Sequence, residues 1–375
     1  MQKKLIALAI ASIVAAPAFA QSSNVVMYGV VDMGVEVGNS GFGTKTRIQS
    51  GQSAGNRLGF KGEEALGSGL TAFFTLETGF SLDNGQTTNN SSVGNAGRNT
   101  GSNVSQSTGD SAGVNSDLFQ RQALIGLKGS WGQLSAGRQY TPAYLMTKAI
   151  DPFDAGLGGK INNALSGLAS YGDRYDNSAL YVTPDMSGFK LSAMYSTGAE
   201  NNTDDSRDQA GEAWTLAGQY ANGPAFVGLS YQESYSVTPV GFSPVQSDSW
   251  LLVGSWNFNV VKVSALYAEG DTDNAANDDQ QRWALGLSAP IGSAAKVNFT
   301  YGHRDDENAI GDVDSQFWSL GGEYSLSKRT ALYAAYTKND NDGTGFAVNS
   351  AVSSGLTPTV SYDPYAVQVG VRHSF

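Results

Sequence analysis

The feature that most constrains this chain is a repeat. From Ser187 onward, apolar and polar residues alternate in hairpin-sized blocks. In "FKLSAMYS", Phe189, Leu191, Ala193 and Tyr195 fall on one side, with Lys190, Ser192 and Ser196 on the other. "AFVGLSYQ", "VVKVSALY", "KVNFTYGHR" and "TALYAAYT" repeat the pattern. Successive side chains of a strand point to opposite faces, so this period of two reads as half-apolar strands. Tyr195, Tyr231, Tyr267, Tyr301 and Tyr336 recur every 34 to 36 residues, and Trp214, Trp250, Trp283 and Trp318 every 33 to 36. Each Tyr closes a strand and the next Trp opens the following one, both on the apolar side. Between them lie long, mostly acidic loops such as "AEGDTDNAANDDQQR"; the opposite ends have short connections, "DMSG", "ANGP", "PIGS" and "SLSK".

Two architectures repeat at such a period. A β-propeller has repeats of about 40–50 residues, but its blades pack against one another on both faces. Here one side is consistently Ser, Thr, Asn, Gln, Lys or Arg. A transmembrane barrel turns its apolar face to lipid and its polar face to a wet lumen, with Tyr and Trp at the interfaces. The pattern therefore predicts an all-β chain: a closed antiparallel transmembrane barrel with short turns at one end and long loops at the other. Val25–Val37, Asn56–Gly62, Leu70–Ser81, Phe119–Gly129, Gln133–Tyr140 and Gly172–Thr183 are further strands, for about sixteen in all. Phase is ambiguous in Phe119–Gly129 and Gly172–Thr183, where apolar residues occur on both parities. The chain ends in mid-strand on "YAVQVGVRHSF". A lone edge of that kind fits a soluble sandwich, but in a barrel it pairs with the first strand, "VVMYGVVDMGVEV", because an open edge in lipid leaves backbone groups unsatisfied.

Residues 1–20 read as a secretory signal peptide, with Lys3 and Lys4 in a basic start, an apolar run too short to span a bilayer, and an Ala18-Phe19-Ala20 cleavage site. Residues 21–375 then form one domain. Losing Lys3 and Lys4 takes the formal charge from −11 to −13, which argues against a nucleic-acid partner. An exported chain with no Cys has no disulfide framework or thiolate metal site, and two histidines, His303 and His373, exclude a His-rich one.

With these strands in place, "VVMYGVVDMGV", "NRLGFKGEEALGSGLTAFFTLETGF", "RQALIGLKGSWGQLSAGRQY" and the terminal Phe of "VGVRHSF", in this order and spacing, resemble the trimeric general porins of Gram-negative outer membranes, most of all the beta-proteobacterial branch. The resemblance covers the whole mature chain. It implies a sixteen-stranded barrel, a homotrimer in outer-membrane lipid and lipopolysaccharide, and passive diffusion of small hydrophilic solutes. It also implies a second role for Phe375, as a signal read by the barrel-assembly machinery.

A barrel of this size is wider than a small solute, so something must narrow it. The segment from Tyr140 to Tyr171 is too long for a turn and less acidic than the other loops. In the resembled family the third long loop folds inward. Asp151 and Asp154, flanking "PF", match its tip, with Lys148 and Lys160 nearby. The family places a ladder of arginines opposite; the matching positions are Arg57, Arg121 and Arg174, with Arg138 where wall meets loop. Arg57 and Lys61 also point inward on their own alternation, since Leu58 and Phe60 take the lipid face. Carboxylates facing guanidinium groups would set up a transverse field and orient polar solutes. Three wall arginines against two loop aspartates lead to the expectation of a weak anion preference.

Other readings are weaker in the residues. "GDSAG" at Gly109–Gly113 resembles a hydrolase nucleophile string, but Ser111 lies in an Asn/Ser/Gly-rich loop without a positioned base, so the chain is not expected to be an enzyme. That loop, Ser81–Asp117, corresponds to the family's subunit latch. A sugar-specific channel needs an aromatic track in the lumen, for which Tyr333 and Phe226 are the inward candidates. An adhesive barrel needs a plug, and no segment suits one. No cofactor is expected beyond weakly held Ca²⁺ or Mg²⁺ at the acidic groups Asp204, Asp205 and Asp208, Asp278 and Asp279, and Asp305, Asp306 and Glu307.

Overall fold

The computed structural model describes residues 24–39, 43–87, 118–198, 211–237, 244–273, 279–307, 313–341 and 363–375. The expected signal peptide, Ser111, most of the proposed latch, and Asp204, Asp205, Asp208 and Asp278 lie outside them. Among the described residues no helix is long and apolar enough to cross a membrane; the crossing elements are strands.

The chain forms one antiparallel sheet of seventeen hydrogen-bonded segments. In order they are β1 (Asn24–Asn39), β2 (Thr44–Ser50), β3 (Arg57–Gly67), β4 (Leu70–Gly79), β5 (Gln122–Gly129), β6 (Gly132–Tyr140), β7 (Arg174–Val182), β8 (Phe189–Thr197), β9 (Glu212–Asn222), β10 (Ala225–Val237), β11 (Pro244–Asn257), β12 (Lys262–Thr272), β13 (Asp279–Ile291), β14 (Ala295–Glu307), β15 (Val313–Ser325), β16 (Thr330–Asn341) and β17 (Tyr365–Ser374). Apart from β2 and β3, which pair with β1 and not with each other, each pairs with its neighbours in sequence, and β1 also pairs with β17, from Val30 opposite Ser374 to Asn39 opposite Tyr365. The sheet is therefore a closed barrel. Closure satisfies every edge, which a lipid-embedded sheet requires because no water is there to hydrogen-bond a free one. Past β17, Phe375 exchanges backbone hydrogen bonds with Gly29, each 3.1 Å.

Sixteen staves result, because β2 and β3 share one. β2 lies along Met33–Asn39 of β1 and β3 along Asn24–Val30. Between them residues 51–56 bulge out of the ladder. Thr44–Ser50 was not among the strands expected from sequence; its polar residues lack the apolar alternation that marks the others.

The expected alternation holds across the later hairpins. Leu252, Leu285, Leu320 and Val369 are exposed on the outward face, while Thr215, Ser249, Thr300 and Gln368 point in and are buried. The tyrosine and tryptophan series meet as cross-strand pairs: Tyr195 faces Trp214, Tyr231 faces Trp250, Tyr267 faces Trp283 and Tyr301 faces Trp318. Ring centroids of Tyr231 and Trp250 are 4.6 Å apart, and those of Tyr336 and Trp318 5.2 Å. The ambiguous phase of Gly172–Thr183 has a structural cause. The register between β6 and β7 shifts between Gly137 and Gln139, so Tyr175 and Leu180, of opposite parity, both face one buried cluster.

Candidate functional site

After β6 the chain turns into the barrel. Thr141 caps helix α1 (Pro142–Ile150), its Oγ1 accepting from the Tyr144 N–H at 3.2 Å, and Pro142 occupies the first helical position, where a missing N–H costs nothing. The loop tip follows, then a 3-10 turn at Ile161–Leu165, then β7. The largest buried apolar cluster among the described residues lies here, inside the barrel. Ala143, Met146, Ile150, Ile161, Leu165 and Leu168 of the loop pack on Leu251, Val253, Leu266, Ala284 and Phe317 of the wall. At about 25 cal/mol per Å² of apolar surface removed from water, this seat holds the loop against β11–β15 and away from the opposite wall. Gly286 makes room for it: a Cβ there would lie 2.6 Å from Cγ of Pro152.

The tip is fastened at a second place. Leu157 N–H donates to the carbonyl of Gln52 in the bulge at 2.5 Å, and Gly158 N–H donates to Oε1 of Gln368 at 3.0 Å. The bulge is itself held by Asp32. Its carboxylate accepts the backbone N–H groups of Gln52, Ser53 and Ala54 at 2.9–3.1 Å and the Tyr333 hydroxyl at 2.7 Å.

The residues singled out from sequence separate into distinct environments. Arg57 and Lys61 pair across from Val30 and Val26, on the face that carries Tyr28 and Asp32, and so point inward. Arg57 donates from Nε to the Gly55 carbonyl at 3.1 Å; Lys61 is exposed to the lumen with Nζ 5.4 Å from the Tyr28 ring centre. Arg121 and Arg174 belong to one network. Arg121 Nε contacts Oε1 of Glu77 at 2.7 Å and its Nη2 donates to the Tyr140 hydroxyl at 2.8 Å. Arg174 lies over the Tyr140 ring, 4.1 Å from its centre, and donates to the same hydroxyl at 2.6 Å. The Tyr28 hydroxyl closes the network on Oε2 of Glu77 at 2.9 Å.

Three placements differ from the expectation. Arg138 stands opposite Ala123, in the outward row of Ile125 and Leu127, and pairs with Asp176 at 2.5 Å. It shares its parity with Leu134 and Ala136 in an unbroken β5–β6 register, so the regular alternation of β6 turns it away from the lumen. Asp151 is folded into the loop: Oδ1 accepts from Phe153 N–H at 2.9 Å and Oδ2 from Ala155 N–H at 3.0 Å. Burial raises its pKa to about 7, against the lowering effect of those bonds. Asp154 alone presents an exposed carboxylate at the tip, with Lys148 Nζ 3.9 Å away. Among the acidic clusters, Asp305 and Asp306 are consecutive on β14 and face opposite sides. Asp306 turns inward to Arg282 and Arg304, so the two do not converge on one ion.

Glu77, Tyr28 and Tyr140 were missed. Glu77 alternates with Thr75 in "FFTLETGF", and that inward polar row was the available signal. The inward aromatics Tyr333 and Phe226 do not line a sugar track. Tyr333 is 3% exposed and bonded to Asp32, and Phe226 packs on the loop cluster.

Residues 7–344 match the family described as Gram-negative porin. An outer membrane porin protein of Bordetella pertussis is 32% identical over the full length of both chains, and outer membrane porin protein 32 of Delftia acidovorans is likewise 32% identical over both. The anion-selective porin from Comamonas acidovorans superposes with a TM-score of 0.78 at 26% identity, covering 94% of this chain and all of that one. A barrel closed from β1 to β17, narrowed by an inward loop and similar along its whole length to outer-membrane porins, has one reading: the chain belongs to the Gram-negative porin family and is a channel of the outer membrane.

Proposed function

We propose that this porin passes small hydrophilic solutes by diffusion and has a weak preference for anions, set where the inward loop faces β3–β7. The charge balance there carries the reading. Arg57, Lys61 and Arg174 stand on the wall side, Arg121 and Glu77 offset one another, and Asp151 is buried in its own loop with its pKa raised to about 7. Asp154 is left as the exposed acid of the tip. Lumen charges act on ions within about 8–10 Å at physiological salt, so this local set outweighs the acidic outer loops. The likeness to an anion-selective porin supports the same sign. Arg57 and Lys61 on the wall and Asp154 at the loop tip would together orient dipolar solutes.

The functional unit proposed is a homotrimer embedded in outer-membrane lipid and lipopolysaccharide. One solved barrel of the same fold, OmpT of Vibrio cholerae, has a trimer form. Phe375, in register with Gly29 at the closing seam, is proposed to be presented to the assembly machinery before the seam forms. Reversal potentials of single channels in a KCl gradient test the selectivity: a potential of the chloride sign is expected, and clear potassium selectivity would overturn it.

A further inference from the structure

The outward face carries a cluster that the pore does not use. His303 and Asp305 alternate on β14 and share its outer side, His303 standing opposite Trp283 and Asp305 opposite Gln281. Across the β14–β15 pairing, Asp314 faces Asp305 directly. One imidazole nitrogen and one carboxylate oxygen from each aspartate all lie within 4.8 Å of one another. The cluster sits just beyond the aromatic band, toward the long-loop end: the His303 and Trp283 rings are 5.6 Å apart, and Tyr301 and Trp318 form the next outward row.

Two physical arguments point to a cation. Like charges directly opposite one another on a strand pair destabilise it, and a bound dication turns that repulsion into attraction. Both strands are also held in ladders on each side, so the donor atoms are positioned before any ion arrives. The donor set then selects the ion. Two carboxylates alone would suit Ca²⁺ or Mg²⁺, but an imidazole nitrogen favours a borderline transition cation. Bonds of about 2.0–2.1 Å to nitrogen and oxygen need only side-chain rotation from the observed separations. We infer that His303, Asp305 and Asp314 bind one divalent cation of the zinc class on the outer wall, with water completing a tetrahedron.

The test uses the full-length folded barrel in a phosphate-free detergent. Isothermal titration with zinc chloride should show one site per chain that weakens at least tenfold in His303→Ala, His303→Gln, Asp305→Asn and Asp314→Asn. It should be unchanged in His373→Ala, which removes the other histidine. X-ray absorption of the zinc-loaded protein should show a nitrogen ligand at about 2.0 Å that His303→Ala abolishes. Circular dichroism of each variant checks that the barrel has formed. Calcium should bind more weakly and be indifferent to His303→Ala. The inference is overturned if zinc does not bind, if its affinity survives His303→Ala, or if calcium matches zinc and ignores the histidine, which would leave only a diffuse acidic surface.

Discussion

The N–H of Leu157 donates to the carbonyl of Gln52, joining the tip of the inward loop to the bulge that splits the second stave. The loop is thus held at two places: by apolar packing on β11–β15 and by backbone hydrogen bonds to the bulge. The width of the channel follows from both.

The fit at the second place is close enough to test with one methyl group. A Cβ on Gly156 would overlap the carbonyl of Ser53. Neither backbone segment can yield without losing the Leu157–Gln52 bond, so Gly156→Ala is expected to lift the tip from the bulge. The staves are untouched, so thermal unfolding should stay within about 1 kcal/mol of the native protein's stability, within the usual range for a change away from the ladder. Planar-bilayer recording should show altered unitary conductance and more frequent brief transitions. A native trace would show that the contact does not set the aperture.

Asp32 is expected to matter more for stability. Its carboxylate takes three backbone N–H groups and the Tyr333 hydroxyl in a site where Asp32 is fully buried. Asp32→Ala leaves those donors without an acceptor, at about 1–3 kcal/mol for each one that water cannot reach. Denaturation, followed by heat-dependent mobility on gels, should occur at a lower temperature in Asp32→Ala than in Asp32→Asn, which keeps one acceptor.

Arg57 and Arg121 should separate in selectivity. Removing one lumen charge by Arg57→Gln should lower the anion-to-cation permeability ratio by about twofold, the size expected when a single charge acts through screened water. Arg121→Gln should lower it further. It removes a cation and also unmasks Glu77, whose other close partners are Tyr28 and Arg57. Equal effects in the two variants would show that Glu77 is already neutralised by other means.

Asp151 supplies a pH dependence. Its pKa in the folded loop, about 7, lies above that of a free carboxylate because burial disfavours the charge. The folded loop therefore binds this proton more tightly than the unfolded chain. The resulting stability is fully present below about pH 4 and is lost as pH rises through about 7. Acidification across neutrality also removes a negative charge from the tip, so the anion preference should increase from pH 8 to pH 6. Asp151→Asn should flatten that step. A step of the same size in the variant would assign it to another group.

The inward position of Arg57 and Lys61 was legible because Leu58 and Phe60 flank them on the lipid side, and a strand alternates without exception while its ladder is regular. The outward position of Arg138 was legible on the same ground, since it shares its parity with Leu134 and Ala136 in an unbroken β5–β6 register; only the resemblance had set it in the passage. Asp151 and Asp154 look alike in "DPFD"; which one is buried depends on how the tip folds back onto Phe153 and Ala155. Glu77 was written into the alternation of β4, but its partner Arg121 lies 44 residues away.

Sequence alone determined the wall: strand periodicity, the aromatic rows and the pairing of first strand with last all follow from local alternation and from the need to satisfy backbone groups in lipid. The tertiary structure alone decided the aperture. The inner wall is polar by rule, yet Leu251, Val253, Leu266 and Phe317 make an apolar seat on it. That seat is assembled from separate strands and meets a loop from elsewhere in the chain, so no local pattern records it. Charges in the passage are likewise set by contacts between distant residues, and distance in space, not spacing along the chain, fixes which of them remain free to act on an ion.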